Sequence, residues 1–179
     1  MDVKISNTDS NFKYRINTIL IHNNKVLLVE INNSGYFCCP GGHVHIGETS
    51  KEALTRETLE EVEIKVKNEK CIALIENFFK NNEGKSFHAV EIYYTAEPIN
   101  LPKEKLKDYV FIENDEGKPT TLNFKWFPLN DLASQNIKPI ALRDKLAKND
   151  FDFEHIFVRD NKILEKIKPA DTKVKERAL

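Results

Sequence analysis

Pro40-Gly41-Gly42-His43-Val44-His45-Ile46-Gly47-Glu48, followed after seven residues by Arg56-Glu57-Thr58-Leu59-Glu60-Glu61, is the stretch on which the reading of this chain turns. Three of the six glycines of the chain lie between Gly41 and Gly47. So much backbone freedom in one short segment points to a tight, special geometry. Thr49 or Ser50 can N-cap a helix, and Glu52 in its first turn suits the helix dipole. The helix is expected to run to about Val62. Positions i, i+3 and i+4 share a helix face, so Glu57, Glu60 and Glu61 project together. Like charges at that spacing repel by roughly a few tenths of a kcal/mol per pair in water. A cation among the carboxylates would explain them. Hard oxygen ligands with water in the remaining positions suit Mg²⁺, which in turn suits phosphate oxygens. A glutamate run alone is commonly a solvated face, here balanced by Lys51, Arg56, Lys65 and Lys67. The glycine loop and the glutamate helix at a fixed separation carry the argument together.

Upstream, Tyr14 to Ile31 reads as a β-hairpin. Ile16, Ile19, Leu20 and Ile21 precede Asn23-Asn24, and Val26 to Val29 follow, with asparagine tolerating the positive φ of a tight turn. Asn32 to Gly47 is a loop. Downstream, Ile64 to Phe79 and Ser86 to Ala96 are expected to form a second hairpin about the Asn81-Asn82-Glu83-Gly84 cluster. Pro98 and Pro102 open a loop, with a short helix near Lys103 to Asp108. Leu122 to Phe127 reads as a strand, and Leu129 to Ser134 and Pro139 to Lys148 as helices. Phe153 to Val158 is a last strand. Residues 1–159 are expected to form one domain, and Asp160 to Leu179 a charged tail or short helix. Hairpins around one early helix describe an α+β layered domain with a mixed, largely antiparallel sheet. The phosphate-binding fingerprints G-x-G-x-x-G and G-x-x-x-x-G-K-[ST] are absent.

With 27 basic against 28 acidic residues and 31% charged residues, the chain lacks the basic excess of a nucleic-acid or membrane-surface binder. Cys38, Cys39 and Cys71 form no C-x-x-C, so a zinc site is not expected, and reduced thiols in a cytoplasmic protein are. Met1-Asp2-Val3-Lys4 leads into polar residues without an apolar core of a signal peptide, and no apolar run has membrane-spanning length.

Gly42, five residues, Glu48, seven residues, Arg56-Glu57, then Glu60-Glu61 and a final aliphatic Ile64 resembles the Nudix box, G-x5-E-x7-R-E-U-x-E-E-x-G-U, of the MutT-like Nudix hydrolases, where U is bulky aliphatic. Pro40-Gly41 also resembles that family. Two positions depart: Thr58 replaces an aliphatic residue, and Glu63 replaces the glycine that ends the helix. His45 stands where many relatives carry an acid. The resemblance implies an α/β/α sandwich over roughly residues 12–158. It also implies hydrolysis of a diphosphate linkage in a nucleoside diphosphate derivative, with Mg²⁺ as cofactor and Mn²⁺ as a substitute. Carried over, Glu57, Glu60 and Glu61 would hold metal with the Gly41 carbonyl, Arg56 would orient Glu57, and Gly42 and Glu48 would be structural. The general base stays open among Glu91, Glu113 and Glu116. His43 and His45 could touch phosphate, and Phe87, Tyr93, Trp126 or Phe127 could stack on a base, although strand aromatics usually serve the core. His88 and His155 are left as ordinary residues.

The proline of ADP-ribose hydrolases and the tyrosine of dinucleoside polyphosphate hydrolases are missing around Lys80, so a nucleoside triphosphate is the default substrate. ADP-ribose or a sugar nucleotide is the alternative. A non-catalytic nucleotide-binding module would predict broken carboxylates, and all are present. The expected partners are a small nucleotide and a second copy of the chain, as relatives are often dimers, but no nucleic-acid polymer.

Overall fold

The computed structural model describes residues 1–81, 83–115 and 118–169. Its elements are β1 (Lys4–Ser6), β2 (Ser10–His22), β3 (Lys25–Ile31), α1 (Ser50–Val62), β4 (Lys65–Lys80), β5 (Ser86–Ile99), β6 (Tyr109–Asp115), β7 (Lys118–Pro128), α2 (Ile140–Ala147), β8 (Glu154–Arg159) and β9 (Lys162–Ile167). One sheet takes the order β6-β7-β3-β2-β5-β4-β8-β9, with β1 on β2. The β2/β5 and β4/β8 pairs are parallel and the other pairs antiparallel, the mixed, largely antiparallel sheet expected of an α+β fold.

Alternation along β2 sorts the layers, since successive side chains leave opposite faces of a strand. Ile16 and Leu20 point towards α1, where Ala53, Leu54, Val62 and Ile64 meet them with Val44, Leu27 and Phe124. Ile19 points the other way, into the larger cluster that Ile72, Ile75 and Tyr93 share with Leu142 and Leu146 of α2. The sheet thus lies between two helical layers.

Local chemistry explains the elements that the sequence announces. Asn23 and Asn24 both adopt positive φ, at 47° and 58°, the requirement of a two-residue turn whose twist matches its strands. Thr49 caps α1 in a capping box: its hydroxyl accepts from the Glu52 N–H, and the Glu52 carboxylate accepts from the Thr49 N–H.

Elsewhere the structure corrects the expectation. Lys162–Ile167 is a strand paired with β8, not the start of a tail or helix; residues 170–179 lie outside the described residues. β6 was not expected as a strand. It pairs with β7 on one side and alternates: Val110 and Ile112 are 63% and 58% exposed, while Tyr109 and Phe111 pack against the cluster around Phe124. The two short helices at Lys103–Leu106 and Leu129–Ser134 are 3₁₀ turns.

α2 is anchored by charge. The Lys145 side chain is fully buried, with Nζ 3.1 Å from Asp150 and 3.3 Å from Glu154. Glu154 is also paired with Lys166 and Lys168 of the β9 segment. Removing one member of a buried pair leaves an uncompensated charge. Glu154→Ala is therefore expected to cost about 3 kcal/mol in urea unfolding, and Lys145→Met clearly less, because Glu154 keeps its other two lysines. Equal losses for the two variants would contradict this.

Candidate active site

β2 and β3 pair at the hairpin end, where Leu20 faces Leu27, and then part. The chain after β3 fills the gap. The Val29 and Cys38 backbones exchange hydrogen bonds at 2.9 Å, the Thr18 N–H donates to the Pro40 carbonyl at 2.8 Å, and the Ile16 N–H to the Gly42 carbonyl at 3.0 Å. The glycine loop is thereby laid along the middle of the sheet, under α1. The approach leaves no room for side chains. Gly41 has φ +146°, and a Cβ there would overlap the Ile16 carbonyl and press on the Asn17 Cα. A Cβ on Gly42 would overlap the Glu57 carboxylate.

Arg56 joins loop to helix. Its Nε and Nη2 donate to the two Glu48 oxygens at 2.9 Å each, and Nη2 also to the His43 carbonyl at 2.9 Å. Its Nη1 donates to Glu57 at 2.7 Å and Glu60 at 3.0 Å. A guanidinium has five N–H groups, so Arg56 is fully engaged. These bonds hold the Glu48 carboxyl well down, to about 2, with the His45 N–H adding a bond at 2.9 Å.

The three carboxylates of the helix do not converge on one point. Successive helical residues are about 100° apart, so Glu60 faces solvent, 60% exposed, while Glu61 turns in and accepts from the Gly41 N–H at 2.8 Å. Glu57 is buried beside Gly42. Among the described residues no three acidic, histidine or cysteine side chains have the spacing of one metal ion. The shared face read from the sequence is thus broader than a single cage. The donor set nevertheless fits a hard divalent cation: each carboxylate engages the protein through one oxygen, Oε1 of Glu57, Oε2 of Glu60 and Oε2 of Glu61, which leaves the other for an ion. Four carboxylates, those of Glu48, Glu57, Glu60 and Glu61, share two guanidinium groups, those of Arg15 and Arg56. Enclosure raises the Glu57 carboxyl, with Glu60 adding repulsion, and pushes Glu61 up to about 7 against the pull of the Gly41 N–H and Arg15.

The outer residues sort unevenly. Glu113 lies close enough to Glu61 to raise it further, and Glu116 falls outside the described residues. Glu91 faces Arg15 across the β2/β5 pair, and its enclosed carboxylate accepts from the Tyr93 hydroxyl at 3.1 Å. His43 and His45 point to the chain start, with ring nitrogens 3.6 and 3.3 Å from the Asp2 carboxylate. Burial and the nearby Arg15 and Lys13 push His43 down to about 4, so it is neutral at pH 7. Trp126 packs in the cluster with Val62 and Ile64 and spends its single donor on the Lys105 carbonyl at 2.7 Å.

Both departures from the box pattern have partners. The buried Thr58 hydroxyl meets that of Thr18 on β2 at 2.7 Å. Glu63 ends α1 in the left-handed conformation, φ 58°, which costs a non-glycine residue about 1 kcal/mol; its carboxylate takes Lys105 at 2.8 Å. The residue that the sequence reading missed is Arg15, whose Nη2 donates to the Gly41 carbonyl at 2.5 Å. In the sequence it is one polar position of an alternating strand, and its place depends on how the loop packs. The three cysteines are free thiols.

A glycine loop laid in a parted sheet, with an arginine-bound glutamate helix above it, is the architecture of a Nudix hydrolase. The chain belongs to the NUDIX domain family, whose family model matches residues 13–150. Similar solved structures include a mutator MutT protein from Bacillus halodurans, with TM-score 0.59 and 16% identity over 89% of this chain and 99% of that one. A NUDIX hydrolase from Nitrosomonas europaea gives 0.55 and 20%, over 82% and 78%. An ADP-ribose pyrophosphatase from Streptococcus suis gives 0.50 and 16%, over 83% and 98%. At these identities the likeness speaks for the fold.

Gly41→Ala is expected to cost about 3 kcal/mol or more in unfolding, because it meets backbone at a positive φ. Gly42→Ala should cost less, since it meets the end of the Glu57 side chain rather than backbone and displacing that carboxylate breaks one bond to Arg56. Similar losses for the two would contradict the close approach to β2. Because its folded-state carboxyl lies below the usual 4.5, Glu48 contributes stability that is present above pH 4.5 and lost as pH falls towards 2. Glu48→Gln should therefore flatten the stability profile between pH 5 and pH 3, the window that chemical denaturation can follow; an unchanged profile would contradict the Arg56–Glu48 pairing.

Proposed function

We propose that the protein hydrolyses a diphosphate linkage in a nucleoside diphosphate derivative, a nucleoside triphosphate first among them, with Mg²⁺ as cofactor and Mn²⁺ able to replace it. The observation that carries this reading is the arrangement around Arg56: the Glu57, Glu60 and Glu61 carboxylates gathered at the glycine loop, each with an oxygen to spare, and four carboxylates in all to two guanidinium groups. The family match supports it.

In this reading Glu57, Glu60, Glu61 and the Gly41 carbonyl would hold the metal, which would supply neutralising charge at the diphosphate and Lewis acidity towards water. Arg56 fixes the Glu57 and Glu60 carboxylates by charge-assisted bonds, which removes their freedom to turn away before substrate arrives. Glu48 and the Gly42 backbone keep helix and loop at a constant separation. Glu113, in the field of Glu61, and Glu91, on β5, are the described candidates for taking the proton from the attacking water.

The test is incubation with Mg²⁺ and a panel of nucleoside triphosphates, ADP-ribose, sugar nucleotides and dinucleoside polyphosphates, with released phosphate, pyrophosphate and nucleoside monophosphate measured. Metal-dependent cleavage of at least one class is expected, and Glu60→Gln should lower kcat about 100-fold or more while the melting temperature holds. An intact panel, or full turnover by Glu60→Gln, would refute the reading.

A further inference from the structure

Two guanidinium groups border the carboxylates, and they differ in what they have left to donate. Arg56 has a taker for every N–H it carries. Arg15 makes a single hydrogen bond among the described residues, from Nη2 to the Gly41 carbonyl. Of its five donors, the remaining four are uncommitted, on a side chain that is only partly buried. It stands opposite Glu91 in the parallel β2/β5 pair, and its charge draws down Glu57, Glu61 and Glu91 at once. Lys13 lies two residues earlier and so on the same strand face; burial lowers its ammonium, and the nearby Arg15 lowers it further.

We propose that Arg15 is the phosphate clamp of the site: its free fork takes phosphoryl oxygens of the substrate, and in the metal-free protein it stands as resident counter-charge on the Gly41 carbonyl. The proposal rests on the diphosphate hydrolase reading above. A planar fork binds two phosphate oxygens side by side, which an ammonium cannot do. The saturated Arg56 cannot serve, because any bond it gave a substrate would release Glu48, Glu57, Glu60 or the loop. The Gly41 carbonyl is also the group assigned above to the metal, so a cation held there would repel the Arg15 guanidinium from that oxygen. The guanidinium would then be free to turn to an arriving diphosphate, and metal and diphosphate would favour each other's binding.

Isothermal titration with adenosine α,β-methylene diphosphate, which cannot be cleaved at that linkage, tests the clamp in saturating Mg²⁺. Loss of two charge-assisted bonds should weaken binding by Arg15→Gln about 30-fold or more, and Arg15→Lys, which keeps the charge without the fork, should recover only part of it. Mg²⁺ alone should bind Arg15→Gln at least as tightly as wild type. Circular dichroism melting establishes that each variant is folded, and Arg15→Lys carries the test if Arg15→Gln is not. Analogue affinity within threefold of wild type in both variants would overturn the clamp, as would tenfold weaker Mg²⁺ binding by Arg15→Gln. Failure of the wild-type protein to bind the analogue would instead overturn the hydrolase reading itself.

Discussion

The five-bonded Arg56 is the constraint from which the rest of the site follows. Its guanidinium reaches Glu48 at one end of the glycine loop, the His43 carbonyl in the middle, and Glu57 and Glu60 on the helix. Loop and helix therefore cannot move independently without breaking charge-assisted bonds. The sheet supplies the other half of the constraint. Because β2 and β3 part after their turn, the loop can lie along β2 as an extra strand segment, and Gly41 and Gly42 are the residues whose missing side chains let it do so.

Much of this was legible in the sequence, and the reasons are local. Asn23-Asn24 announces a turn because few other residues accept two positive φ values, and Thr49 with Glu52 announces a helix start because each satisfies the other's backbone. The spacing from Gly42 to Glu61 locates the site because one loop and one helix carry all of it. What stayed hidden depends on contacts between distant segments. Arg15 becomes part of the site by meeting Gly41, 26 positions further along the chain. Thr58, a departure from the box pattern in the sequence, has its partner in Thr18 of β2, whose hydroxyl it meets. β6 and β9 lie at the two ends of the sheet and pair with β7 and β8, and the core contacts of Tyr109, Phe111 and Ile163 depend on clusters built by distant segments. The fan of the three glutamates has a different cause: Glu60 and Glu61 each lie near Glu57 on the helix, but about 100° from each other, so one faces water and the other the loop.

The electrostatics give the site a direction. Enclosure works against ionisation at Glu57, Glu61 and Glu91, and two arginines offset that cost only in part. A folded protein that keeps such a cluster gains more from a bound divalent cation than a solvated glutamate face would, because the cation relieves repulsion as well as forming bonds. The buried Lys145 cluster behind α2 is a contrasting case, with its carboxylates already matched by lysines and no surplus to attract an ion.

The proposed hydrolysis requires that the oxygens at the glycine loop hold a divalent cation. A crystal structure of the protein soaked with Mn²⁺, read by anomalous scattering, addresses it most directly. An anomalous peak is expected within bonding distance of the Glu57 and Glu61 carboxylates or the Gly41 carbonyl. A map with no peak there, or with Mn²⁺ bound only elsewhere, would contradict that requirement.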